Sequence, residues 1–208
     1  MNNYWEERYL SGGKIWGDIP SISVLEADKN FSRYSFRRIH IPGCGYGRNA
    51  GFFINKGYVV SGSEISATAC RLAGEKFPSL KLINCSMLEE NFIPGSIDAV
   101  YAFNDLHLFK LDERLKLISI WSDMIKFAGM IFCTVFSELE DSFGKGAETE
   151  DNTFETKPGR PVHYFTKDDL VSHFKNLTHV KDGIFDEPED HDGKHIHKLR
   201  YIILKKEK

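Results

Sequence analysis

The sequence predicts an α/β fold: a doubly wound, mostly parallel sheet of seven strands with a C-terminal antiparallel hairpin and an N-terminal helical cap. Three observations predict it. Short apolar runs alternate with amphipathic helical stretches from residue 37 onward, a glycine-rich bend follows the first run, and residues 176–206 hold two β-rich runs around an acidic turn.

In residues 3–10 (NYWEERYL) Trp5 and Tyr9 stand four apart, on one face of a short helix. Ser11-Gly12-Gly13 ends that helix, a loop carries Trp16, and Pro20 opens a second helix to about Asp28, so residues 1–36 form the cap. The core, residues 37–136, alternates strand and helix. RRIHIP, YVVSGSE, LKLINC, IDAVYAF and GMIFCTVF read as strands, and RNAGFFINKG, ISATACRLAGEKF and DERLKLISIWSDMIK as helices. Such connections are right-handed and place helices on both faces of a parallel sheet. Residues 137–165 are polar, rich in Gly, Pro and acids, and lack a period, which predicts a long loop serving as a lid. In residues 166–208, Thr166 ahead of Asp168 and Asp169 is a helix N-cap signal, and NLTHVKDGIFD and HKLRYIILKK pair as the hairpin.

The whole reads as one domain of 208 residues. With 27 basic against 30 acidic residues and no basic stripe, nucleic acid is excluded as a partner and a small molecule is expected, for a monomer or dimer. Cys44, Cys70, Cys85 and Cys133 are far apart with no CxxC pair, so reduced thiols and a cytoplasmic location are expected. No apolar run approaches the roughly 18 residues of a membrane span, and the N-terminus has no signal-like core.

The most informative segment is IHIPGCGYGRNAGFF, where Gly43, Gly45 and Gly47 bend the chain from strand into helix. Glycine there lets a ligand approach main-chain N–H groups. A dinucleotide fingerprint would place its third glycine at 48, where Arg48 stands instead. Glu64, at the end of the next strand, is placed to accept hydrogen bonds from both hydroxyls of a ribose. Adenosine without pyrophosphate, as in S-adenosylmethionine, fits both features. Arg48 and Asn49 open the following helix, Arg48 as a partner for an anion or as a solvated charge.

IPGCGYGRN followed by GYVVSGSEIS resembles the cofactor motifs of class I S-adenosylmethionine-dependent methyltransferases, which are Rossmann-like. It is most similar to the thiopurine, thiol and halide enzymes. GCGxGRN, FGKG and GRPVHYFT also resemble tellurite-resistance-type methyltransferases, and WEERY resembles the aromatic N-terminal helix of such small-molecule enzymes. The resemblance implies that Gly43, Cys44, Gly45 and Gly47 lie along the methionine part of the cofactor, Glu64 on the ribose and Ile65 on the adenine. Ser86 and Met87 stand where many members have an acid for the adenine amine, and Ile41 stands where an acid often precedes the glycines. The carbonyl of Phe103 would face the cofactor's amino group. The implied reaction is in-line transfer of methyl to a small acceptor, a soft S, Se, Te or halide nucleophile, leaving S-adenosylhomocysteine.

For the acceptor side, Asn104, Asp105 and His107 follow strand four, where open α/β sheets bind ligands, and His107 suits a general base near neutral pH. Tyr164, after His163, would wall the acceptor pocket or donate a hydrogen bond, and the resemblance implies that Trp5, Tyr9 and Trp16 close over cofactor and acceptor. His191, His195 and His197 read as a polar hairpin tip, and no metal is expected. Two other functions share the layout: a nicotinamide-dependent oxidoreductase, which Arg48 counts against, and a non-catalytic adenosine-ligand-binding protein.

Overall fold

A computed structural model describes residues 2–157, 159–190 and 193–207. Two helices come first, α1 (Asn2–Gly12) and α2 (Ser23–Arg33). Then follow β1 (Arg38–Ile41), α3 (Arg48–Asn55), β2 (Val59–Glu64), α4 (Ala67–Lys76), β3 (Lys81–Asn84), β4 (Ile97–Phe103), α5 (Leu111–Met124) and β5 (Ile125–Phe136). The chain closes with β6 (Ala147–Glu150), β7 (Thr153–Lys157), β8 (Arg160–His163), α6 (Lys167–His173), β9 (Thr178–Glu189) and β10 (His195–Lys205). The second helix starts three residues after Pro20 and runs past Asp28 to Arg33.

The main sheet has seven strands in the order β3-β2-β1-β4-β5-β10-β9. The first five pair in parallel, and β10 enters antiparallel to both β5 and β9. The order reverses between β1 and β4, which opens a crevice at their carboxyl ends.

Alternation along the strands splits the core in two. Ala99, Tyr101, Met130, Phe132, Tyr201 and Ile203 pack with α2 and α3, through Phe31 and Phe53. Val100, Ala102, Ile131, Cys133, Ile202 and Leu204 pack on the other face with Leu117 and Trp121 of α5 and Leu170 of α6. A strand buried on both faces is an almost unbroken apolar run, and β4 and β5 read that way.

Residues 137–165 are not a structureless loop. They build a separate antiparallel sheet, β6-β7-β8, whose first two strands meet at a two-residue turn between Glu150 and Thr153 and whose last two pair from Thr153↔His163 to Lys157↔Arg160. Asn152 stands in that turn with φ 54°, a conformation asparagine tolerates better than most residues. Thr166 caps α6 as its sequence predicts, its Oγ1 accepting the Asp169 N–H at 3.2 Å.

Candidate functional site

The crevice leads into a cavity of about 530 Å³, bounded by α1, the glycine loop, the ends of β2 and β4, and β8. That volume falls within the roughly 300–1,000 Å³ of small-molecule sites. Gly43, Cys44, Gly45, Glu64, Ile65, Ser86, Met87, Phe103, Asp105 and His107 all line it, as do Trp5, Tyr9 and Trp16.

The bend itself needs glycine. Gly43 and Gly45 have φ of 57° and 56°, and a Cβ on Gly45 would come 2.9 Å from the Tyr9 hydroxyl. The loop is held from below: Cys44 N–H donates to the Ser63 carbonyl at 2.8 Å, and Gly45 N–H to Glu64 Oε2 at 2.9 Å. Glu64 Oε1 accepts the Ser66 N–H at 2.8 Å. Burial pushes the Glu64 pKa up, against the pull of these N–H groups. Gly47 does not line the cavity. At φ 82° it is the cap residue of α3, and a Cβ there would meet the Phe77 ring at 2.9 Å, so packing on α4 and its flank is what demands glycine.

The cap is fastened beside this loop. Glu6 accepts from Ser66 Oγ and Thr68 Oγ1, both at 2.6 Å, and from Thr68 N–H at 3.2 Å. Its carboxylate thus satisfies donors at the N-terminus of α4, and these hydrogen bonds, Ser66 first, lower its pKa. Trp5, Tyr9 and Trp16 form one aromatic cluster with ring centroids 5.9–6.4 Å apart. Tyr46 ties the Trp16 loop down by donating to the Gly17 carbonyl at 2.7 Å. Arg48 is not a solvated charge: it pairs with Glu189 at 3.0 Å and donates to the Trp16 carbonyl at 3.0 Å.

At the end of β4, Asn104 takes a φ of 59° and shares hydrogen bonds with Thr134 of β5. Asp105 makes no cap for the 3-10 turn that follows (Leu106–Leu108). His107 is buried and stacks on Phe136 at 4.1 Å, its Nδ1 accepting the Phe136 N–H at 3.4 Å. Burial, with His197 and His163 nearby, lowers its pKa to about 3. The ring is neutral at physiological pH, and with Nδ1 accepting, Nε2 carries the hydrogen.

Tyr164 lies away from the cavity. Its hydroxyl donates to Ser142 Oγ at 2.8 Å, and its ring packs with Phe143 and Phe154. Beyond the expected residues, β8 brings Arg160 and Val162 to the wall, and β5 and β10 bring Phe136 and His197. The Arg160 guanidinium lies 3.7 Å from the centroid of Tyr4 on α1, with no carboxylate partner among the described residues. A lone arginine in a segment read as loop carries no signal of this. His195 and His197 touch each other at 3.1 Å, and His197 bonds Glu140 at 3.2 Å. His191 lies outside the described residues.

The cavity suits S-adenosylmethionine by its own chemistry. Two buried polar atoms without partners, Ser63 Oγ and Asp105 Oδ2, belong to residues at the glycine bend. A side chain on Gly43 would fill the space beside Asp105, and apolar Ile65 and Met87 line the same cavity as the acid Glu64.

The family model of a methyltransferase domain matches residues 42–129. A search of curated proteins by sequence found no match. Among solved structures, the chain is similar to one reported for the conversion of a disulfide bond into a thioacetal group during echinomycin biosynthesis (TM-score 0.78, 15% identity, 99% of this chain and 91% of that one). It is also similar to the Burkholderia thailandensis 1,6-didemethyltoxoflavin-N1-methyltransferase with bound S-adenosylhomocysteine (0.74, 16%, 100% and 87%). A third is the magnesium protoporphyrin IX methyltransferase of Synechocystis PCC 6803 with bound S-adenosylmethionine (0.68, 13%, 99% and 96%). At such identities the likeness establishes the fold. Residues 42–129 thus match the methyltransferase-domain model, and the chain shares the Rossmann-like fold of solved S-adenosylmethionine-dependent methyltransferases.

Proposed function

We propose that this S-adenosylmethionine-dependent methyltransferase acts on a small molecule held between the cap and the lid. The observation that carries it is the convergence of the glycine bend, Glu64, the adenine-side residues Ile65, Ser86 and Met87, and the aromatic cap on one cavity. The cofactor, when bound, supplies a methyl group activated by sulfonium, so the protein's task is to orient and to exclude water. Glu64 holds the loop's N–H groups and presents its carboxylate to the ribose. Phe103 offers its carbonyl to the amino-acid end, and Trp5, Tyr9 and Trp16 seal the chamber.

His107 serves the acceptor as a hydrogen-bond donor through Nε2 rather than as a base. An acceptor that is already a good nucleophile near neutral pH needs no base. This agrees with a soft S, Se, Te or halide acceptor, supported by the resemblance of PGCG and GSEIS to thiol and halide enzymes. The neighbour from disulfide-to-thioacetal conversion also points to sulfur, whereas the toxoflavin enzyme is an N1-methyltransferase. Arg160 adds a preference for an acceptor bearing an anionic group. The four free cysteines suit a reducing, cytoplasmic setting, and no helix is long and apolar enough to cross a membrane.

Titration calorimetry with S-adenosylmethionine and with NAD tests the cofactor, and a screen over thiols, halides, chalcogen oxyanions and amines, read as S-adenosylhomocysteine released, tests the acceptor. Binding of the first ligand alone, with turnover of a thiol or halide, is the expected result. Binding of NAD instead would reassign the protein to the oxidoreductases, against the position of Arg48, and binding without turnover of any acceptor would leave a ligand-binding protein.

A further inference from the structure

Among the described residues beneath the glycine bend, the charged side chains that act on Asp105 are both acids, Glu64 and Glu90. The Asp105 carboxyl lies so close to the bend that a Cβ on Gly43 would sit 2.4 Å from its Oδ1 and 2.9 Å from its Oδ2. Oδ2 is buried and has no hydrogen-bond partner. The titratable groups facing Asp105 are Tyr9 on α1, Cys44 in the bend, Glu64 at the end of β2, Glu90 before β4, and Cys133 on β5. All five are acids rather than bases, and among the described residues no cation acts on Asp105. Glu64 is engaged with Gly45 and Ser66, and Glu90 with His40. The main chain at Phe103 alone favours the charged form of Asp105.

Burial, then Glu64 and Glu90, push the Asp105 pKa well above the usual carboxylate range. A buried acceptor oxygen left unpaired costs about 1–3 kcal/mol, and Asp105 neither caps the next turn nor forms an ion pair among the described residues. The missing partner is therefore a ligand with positive charge and N–H donors. A sulfonium has the charge without the donors, whereas an α-ammonium has both.

We propose that Asp105 is the counter-ion for the α-ammonium group of the cofactor, and that cofactor binding is coupled to release of the Asp105 proton. The proposal rests on the cofactor assignment above. On this proposal the carboxyl, whose Oδ2 is buried and unpartnered, holds its proton in the free protein. As the ammonium arrives, the O–H bond breaks, its electron pair stays on oxygen, and the proton passes to buffer, leaving a carboxylate–ammonium pair. Asp105 acts as a positioning residue, fixing the amino-acid end of the cofactor so that its methyl group points into the acceptor chamber.

The test is calorimetry of S-adenosylmethionine and, separately, S-adenosylhomocysteine, near pH 7 in phosphate and in Tris, whose ionisation heats differ. Both ligands carry the ammonium, and only the first carries the sulfonium. Proton release of similar size with both is expected, with affinity rising up to about tenfold per pH unit while Asp105 is neutral in the free protein. Asp105→Asn should bind both ligands at least tenfold more weakly and abolish the release, while Asp105→Glu restores part of it. Thermal melts of each variant show that the fold is kept. Release with S-adenosylmethionine alone would overturn the ammonium assignment, and so would tight binding without release. Binding of neither ligand to the unaltered protein would overturn the cofactor assignment itself and this proposal with it.

Discussion

Gly45 and Gly47 sit two residues apart in one loop, yet their substitution should produce opposite failures. A Cβ on Gly45 points at the Tyr9 hydroxyl where the cap meets the cavity, and one on Gly47 points at Phe77, away from it. Gly45→Val is expected to abolish cofactor binding in calorimetry. Gly47→Ala should leave affinity near its original value while lowering stability by about 1–2 kcal/mol in urea titrations, from left-handed backbone strain and the Phe77 clash. Glu64→Ala removes the anchor of the Gly45 N–H together with the proposed ribose acceptor, and is expected to weaken cofactor binding by about 1–3 kcal/mol; unchanged affinity would place the ribose elsewhere. At this scale a residue's place in the cavity was legible where it follows from the strand-loop-helix frame, as for Glu64 and Gly43. It was not legible where the role depends on a distant partner. Nothing near Gly47 announces Phe77, and nothing near Tyr164 announces the Ser142 hydroxyl that turns it inward.

The small β6-β7-β8 sheet was the element least visible in the sequence, because β6 (AETE), β7 (TFETK) and β8 (RPVH) are short, and charged residues interrupt their apolar pattern. Two turn signals were present, Asp151-Asn152 and the Pro-Gly pair at 158–159, each flanked by strand-length runs. A polar chain ties this sheet to the helices. His163 bonds Thr153 at 2.8 Å and Asp169 at 2.7 Å, and His173, held by Asp169, accepts from the buried Arg114 at 3.2 Å. Burial opposes the Asp169 charge, but the hydrogen bonds from His163 and His173 outweigh it and hold the pKa below the usual carboxylate range. A depressed carboxylate stabilises the fold above its unfolded pKa, and that contribution disappears as pH falls through the depressed value. Asp169→Asn should therefore speed hydrogen exchange in β6–β8 at neutral pH and lose that difference in strong acid. Arg160→Ala, at the other end of β8, should raise the acceptor KM several-fold while cofactor affinity stays put. An equal rise for anionic and neutral acceptors would show that Arg160 shapes the wall without reading charge.

Across the molecule, the seven-stranded sheet was the most legible feature, because strands buried on both faces and the helices between them write long, unmixed patterns. The core also carries an acid weakness. His107 titrates near 3 when folded, far below the ordinary 6.5, so between those values the unfolded chain binds a proton that the native state refuses. Stability should rise with pH through that window, by up to about 1.4 kcal/mol per unit from this residue, and level off above it. Urea midpoints measured across the window should show the slope in the original protein and a shallower one in His107→Gln.

The contact of Arg160 with Tyr4 joins a residue at the beginning of the chain to one three quarters of the way along it. A ribosome making this protein has therefore released the glycine bend, residues 43–47, long before β8 exists to meet α1, so that wall of the cavity is among the later parts of the chain to be made.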